Sequence, residues 1–141
     1  MRIAAIDFGL KRIGLAISDE RLVMALPLKV VPAGKTLQES ADNVWQALND
    51  YRQSLTRLIV GLPLLFSGAE GEIAKIVREF GTLLKEKSHC EIIYFDERLT
   101  SAMAEKAFKS QQISRKKRKG LVDPAAACIL LQDYLTSIKN A

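Results

Sequence analysis

Cysteine and histidine are scarce in this chain, and it has no apolar stretch of membrane length. The two cysteines, Cys90 and Cys128, lie far apart with no Cys-x-x-Cys spacing, so neither a disulfide framework nor a zinc site is expected. A reducing cytoplasm suits that usage. The single histidine, His89, sits beside Cys90 at an expected strand start and reads as a surface residue without a catalytic role. A spanning helix needs about 20 apolar residues, and none of the runs approaches that. Asp7 interrupts the first apolar run too early for a signal-peptide core, so the mature chain is expected to begin at Met1 and to have no membrane partner. Internal repeats and linkers are absent, and the one biased tract is Arg115-Lys116-Lys117-Arg118-Lys119.

What is present fits one soluble domain spanning residues 1–141. A chain of 141 residues can bury a real core but is too short for two ordinary domains. Hydrophobic residues make up 48% and charged residues 26%, the balance of a globular protein rather than a disordered one. The net charge of +5 is unevenly spread: residues 98–120 hold eight Lys or Arg and one Glu (8 − 1 = +7), leaving −2 for the rest. Such a local basic patch favours an anionic partner, and a polyphosphate backbone is the obvious one.

Apolar patterning gives the order of elements. Residues 2–8, 12–18 and 22–31 read as three strands joined by short connections, hence adjacent and antiparallel. In the second, Ile13, Leu15 and Ile17 alternate with Gly14, Ala16 and Ser18, so one face carries bulk and the other stays small. Pro27 pushes the third toward an edge or a bulge. Thr36-Leu37-Gln38-Glu39 has the form of a capping box before a helix burying Leu37, Ala41, Val44, Trp45 and Leu48. A strand over 57–62 ends at Pro63. Ser67-Gly68-Ala69-Glu70 offers a second capping box, ahead of a helical stripe of Ile73, Ile76, Val77, Phe80, Leu83 and Leu84. A fifth strand covers 91–95, and Thr100 can cap a short helix to about Lys109. A basic loop, 110–122, then leads to a last helix starting at Pro124, with Ala127, Leu131, Tyr134, Leu135 and Ile138 inward. The helix–strand alternation makes strands four and five parallel to their neighbours, so the fold class is α/β: a five-stranded mixed sheet, three strands antiparallel and then parallel ones, flanked by helices.

Three carboxylates stand where these elements end or begin. Asp7 closes the first strand, Glu97 follows the fifth, and Asp123 opens the last helix. Strands that stop on an acid put charge at the rim of a sheet, and several such rims together form an oxygen-ligand site for a hard cation such as Mg²⁺. Each acid also has a plainer role. Asp7 can accept hydrogen bonds within its Gly-containing turn. Asp96 and Glu97 point to opposite faces, so one of them serves a given site, with Glu97 preferred for its reach and Asp96 in reserve. Asp123 before Pro124 is a good N-cap and first-turn pair.

Asp7-Phe8-Gly9-x-Lys11-Arg12-Ile13-Gly14-x-Ala16-x-Ser18-Asp19, Gly61-Leu62-Pro63-Leu64, Gly68-Ala69-Glu70-Gly71, Asp96-Glu97-Arg98-Leu99-Thr100 and Asp123-x-x-Ala126-Ala127 occur in that order over nearly the whole chain. Together they resemble the YqgF family, the RuvX-type Holliday junction resolvases or pre-16S rRNA nucleases of RNase H-like fold. The resemblance implies metal-dependent phosphodiester hydrolysis with Asp7, Glu97 and Asp123 as catalytic residues and metal ligands, and two Mg²⁺ or Mn²⁺ ions as cofactor. It implies a precursor rRNA or a branched DNA as partner, with maturation of the 5′ end of 16S rRNA precursor the favoured role and the protein a monomer or weak homodimer. Lys11, Arg12, Arg98, Arg115, Lys116, Lys117, Arg118 and Lys119 would hold the nucleic-acid backbone. Two positions depart from the family pattern: Leu65-Phe66-Ser67 replaces a polar or acidic stretch, and Ala126 stands where related resolvases carry a further acid.

Two other functions compete. The Asp7-x-Gly9 turn also resembles the first phosphate loop of sugar kinases and actin-like ATPases, which enclose a nucleotide between two such domains. A non-catalytic RNA- or DNA-binding module on the same fold would use the basic segment alone.

Overall fold

The computed structural model describes residues 1–65, 67–96 and 115–140, and of residues 115–124 only the backbone. Strands β1 (Arg2–Asp7), β2 (Arg12–Ser18) and β3 (Ala25–Pro32) form a meander. Helix α1 (Leu37–Ala47) and a 3-10 turn (Asn49–Tyr51) lead to β4 (Leu55–Leu62), then α2 (Glu72–Ser88), β5 (Glu91–Asp96) and α3 (Arg115–Lys139). The sheet order is β3-β2-β1-β4-β5. β2 is antiparallel to both β1 and β3, whereas β4 is parallel to both β1 and β5, as the patterning implied.

The alternation of large and small side chains sorts the two faces. Ile6, Ile13, Leu15, Leu58 and Val60 form one core with Val44 of α1, with Leu48 at its C-terminal cap, and with Val77, Phe80 and Leu84 of α2. Burying a side chain such as Phe80 contributes roughly 1.5–3 kcal/mol. On the other face Ile3, Ala5, Ala16 and Ile59 meet Ala127, Leu130, Leu131, Tyr134 and Leu135 of α3. Alanine on β1 and β2 leaves room for α3 to lie close to the sheet. Gln132 fastens it there, its Oε1 accepting from the Ala25 N–H (3.0 Å) and its Nε2 donating to the Val23 carbonyl (3.1 Å).

β3 is an outer strand, and the Pro27 signal is met by an irregularity: Leu15 pairs with Lys29 and Ala16 with Pro27, leaving Leu28 as an extra residue. It starts at Ala25 rather than at residue 22, because the preceding segment is a turn. Asp19 Oδ1 accepts from the N–H groups of Val23 (2.7 Å) and Met24 (3.0 Å). These bonds, Met24's foremost, hold the Asp19 carboxyl below its ordinary range.

Thr36 caps α1 as expected, its Oγ1 accepting from the Glu39 N–H at 3.1 Å, while Glu39 accepts from Lys35 N rather than from the cap residue. The box at Ser67 does not form. α2 begins at Glu72 with Gly71 as its N-cap, and the Glu70 carboxylate is taken by a two-pronged Arg78 contact at 2.7 and 2.8 Å. Ile73 and Ile138, expected inward, are 45% and 37% exposed, since each lies in a terminal turn with little beneath it.

The last helix differs most from expectation. It is already helical at Arg115, so residues 115–122 of the expected basic loop are helical, and Asp123 and Pro124 lie inside the helix rather than at its N-terminus. Lys and Arg are good helix formers, so the run can extend the helix outward. Pro124 has no N–H for the carbonyl of Gly120, yet the helix continues through it. The expected short helix from Thr100 lies outside the described residues. Among the described residues no helix is long and apolar enough to cross a membrane.

Candidate active site at the carboxyl ends of the parallel strands

Asp7 is the last residue of β1. Ile3 and Ala5 belong to the α3 face and Ala4 and Ile6 to the other, so alternation puts Asp7 on the α3 face. Its neighbour Phe8 packs against Phe80 of α2, ring centroids 4.7 Å apart, which anchors the strand end from the opposite side. Gly9 then lets the chain turn. A Cβ there would stand 2.3 Å from the Arg12 carbonyl oxygen, so the turn is built for glycine.

The positions flanking Asp7 carry no side chain. Its partner on β2 is Gly14. On the other side Ile6 pairs with Val60, and Gly61 follows on β4 with the parity of Ile59, again toward α3. Gly61 in turn pairs with Phe95 of β5. The carboxyl ends of three parallel strands thus form a row in which Asp7 is bordered by glycines. Open α/β sheets bind ligands at such strand ends. The sequence pattern showed both glycines, but not that they border the same acid.

Asp96 ends β5 with the parity of Ile92 and Tyr94, which pack on the α1–α2 side, so it does not share Asp7's face. That removes the reserve candidate. Glu97 and Arg98 lie outside the described residues. Asp123 is within α3, four residues before Ala127 and seven before Leu130, and its side chain lies outside the described atoms. The same holds for Arg115, Lys116, Lys117, Arg118 and Lys119, whose backbone is helical within α3. Lys11 and Arg12 are exposed at the β1–β2 turn, and Arg12 has the α3-face parity of Gly14 and Ala16. Among the described residues no three acidic, His or Cys side chains cluster as a metal site. The free thiols are poor ligands as they stand: burial pushes Cys90 and Cys128 up from their ordinary pKa.

A family model described as RuvX, Holliday junction resolvase, matches residues 1–137. The chain belongs to this family. A relative from Protochlamydia amoebophila, bearing the name "Putative pre-16S rRNA nuclease", is 39% identical over 140 residues, covering 96% of this chain and 93% of its own. One of the same name from Agathobacter rectalis is 34% identical, covering 100% of this chain and 99% of its own. Among solved structures, Thermus thermophilus RuvC in complex with a Holliday junction superposes with a TM-score of 0.59 at 15% identity, covering 99% of this chain and 96% of RuvC. At that identity the likeness is one of fold, and it makes this RuvX member RNase H-like. A ROK glucokinase from Streptomyces griseus reaches a TM-score of 0.50 at 11% identity but is matched over only 36% of its length, leaving most of that kinase without a counterpart.

Proposed function

We propose that this RuvX protein is a metal-dependent nuclease that hydrolyses phosphodiester bonds, with the precursor of 16S rRNA as its substrate. The observation that carries the reading is Asp7, an acid closing a parallel strand on the α3 face between Gly14 and Gly61, in a chain matched over residues 1–137 to this family. The names of the relatives favour the rRNA precursor over a DNA junction.

Glu97 and Asp123 complete the proposed acidic set. Glu97 comes next in the sequence after Asp96, the end of β5, and Asp123 precedes Ala127 by one helical turn in the helix that covers the α3 face. Three carboxylates and no softer donor suit Mg²⁺ or Mn²⁺. A bound pair of ions would lower the pKa of the attacking water and offset charge on the leaving oxygen. The chain's own part is to hold the carboxylates at a rim where Gly14 and Gly61 border Asp7, and to bind the phosphate backbone through Lys11, Arg12, Arg98 and Arg115–Lys119. The reading makes the protein a cytoplasmic monomer or weak homodimer.

The family's description favours a second substrate, the Holliday junction. Junction cleavage needs two sites acting together, so oligomeric state separates the two. The test is a panel holding a precursor 16S rRNA end and a four-way junction, given to wild type and Asp7→Asn with Mg²⁺ or Mn²⁺. Cleavage of the rRNA end by wild type alone is expected. Equal cleavage by both proteins would remove Asp7 from the site, and cleavage by neither would leave a binding module.

A further inference from the structure

We propose that a groove beside the β1–β2 turn, next to the starts of α1 and α2, binds an unpaired nucleotide of the nucleic-acid strand; this rests on the nucleic-acid reading of the Asp7 site. Three residues after Asp7, Leu10 stands 63% exposed at the tip of a turn, where an apolar side chain gains nothing from folding. Cavities open on both sides of it. One, about 290 Å³, lies between the turn and the start of α1 and is lined by the apolar Phe8, Leu37 and Ile76 and by the polar Lys35, Thr36 and Ser40. The other, about 490 Å³, is bounded by Lys11, Arg12 and the exposed Ile73 of α2.

The linings combine apolar side chains with the cations Lys35, Lys11 and Arg12. Among the described residues no acidic side chain lines either cavity, and the nearby Glu39 carboxylate is turned onto the Lys35 N–H at 2.8 Å. A ligand complementary to both parts needs an apolar flat body joined to a negative charge. A nucleotide has that form, but in a duplex its base faces are hidden in the stack, so only an unpaired one can offer a face to Leu10 and Ile76. The phosphates would then lie along Lys35 and Lys11. Because Leu10 and Lys11 come three and four residues after Asp7, a strand crossing the turn reaches the rim acid and the groove together.

Binding without cleavage tests this directly. Labelled single-stranded RNA and a duplex of the same sequence are titrated by fluorescence anisotropy in EDTA, using wild type, Leu10→Ser and Lys35→Gln. Leu10 is exposed, so Leu10→Ser should keep the wild-type melting curve. It should bind the single strand about tenfold more weakly, bind the duplex as before and leave the salt dependence unchanged. Lys35→Gln should lower the salt slope by about one counterion. The groove assignment fails if Leu10→Ser binds both probes like wild type, or loses both equally. It also fails if a polyglutamate peptide binds wild type as tightly as the single strand does. Failure of Asp7→Asn to stop cleavage would overturn the nuclease site while leaving this binding pattern intact, so the two ideas fall separately.

Discussion

Replacing Gly9 by alanine should cost the fold about 1–3 kcal/mol, although only one methyl group is added. The new Cβ would stand 2.3 Å from the Arg12 carbonyl oxygen, where ordinary contact begins at 3.4 Å. Relief cannot come from a side-chain rotation, because the obstacle is backbone. The Phe8–Phe80 contact holds one end of the turn, and Arg12 at the other end is paired with Pro32 in the sheet. Urea unfolding followed by the fluorescence of Trp45, the single tryptophan, would measure it. With a slope of about 2 kcal/mol per molar urea, the midpoint should fall by roughly 0.5–1.5 M at unchanged slope. Gly68→Ala is a useful contrast. There φ is +88° and nothing lies within 4 Å, so only the left-handed backbone is penalised, at about 1–2 kcal/mol. A Gly9→Ala midpoint within about 0.2 M of wild type would refute the steric argument and with it the claim that this turn fixes Asp7.

Ser18→Ala should cost about 1–3 kcal/mol, because the fully buried Ser18 Oγ accepts from the Ile3 N–H (2.9 Å) and its loss leaves that buried donor unpaired. Hydrogen exchange should quicken at the Ile3 amide in particular, and an unchanged rate would count against the bond. On the acid side, Arg78 lowers the carboxyl pKa of Glu70 and Lys87 that of Asp42, each chiefly through a side-chain hydrogen bond, from ordinary values of 4.5 and 3.8. A lowered folded-state pKa contributes stability above the unfolded value and loses it as pH falls through the folded one, so these pairs should weaken below about pH 4. Both are surface pairs, so the effect is small and salt-sensitive. Glu70→Gln should flatten the acid limb of the stability–pH curve, and a limb identical to wild type would show the Arg78 contact to be idle.

Much of the frame was legible because it rests on local rules. The alternation of Ile13, Leu15 and Ile17 with Gly14, Ala16 and Ser18 announced one bulky and one small face, and those faces receive α1–α2 and α3. Thr36 was a true cap. Local rules failed where a distant partner outbid a near one: Glu70, spaced correctly for a capping box, is held by Arg78 eight residues on. They failed again at Asp123-Pro124, whose form suits a helix start, because nothing in the dipeptide reveals that helix-forming residues before it extend the helix back to Arg115. Ile73 and Ile138 kept helical spacing but lay beyond what the sheet can cover, and periodicity carries no information about where a partner ends.

For the site, the chain alone determined which residues are acidic, that Asp7 ends a strand, and that the ordered blocks are those of one family. Only tertiary structure decided what Asp7 stands beside. Strand order and register are set by side chains that meet across the sheet, far apart in sequence, and they bring Gly14 from β2 and Gly61 from β4 to either side of Asp7. They also turn Asp96 to the other face and leave Leu10 exposed over a cationic groove, neither of which follows from order along the chain.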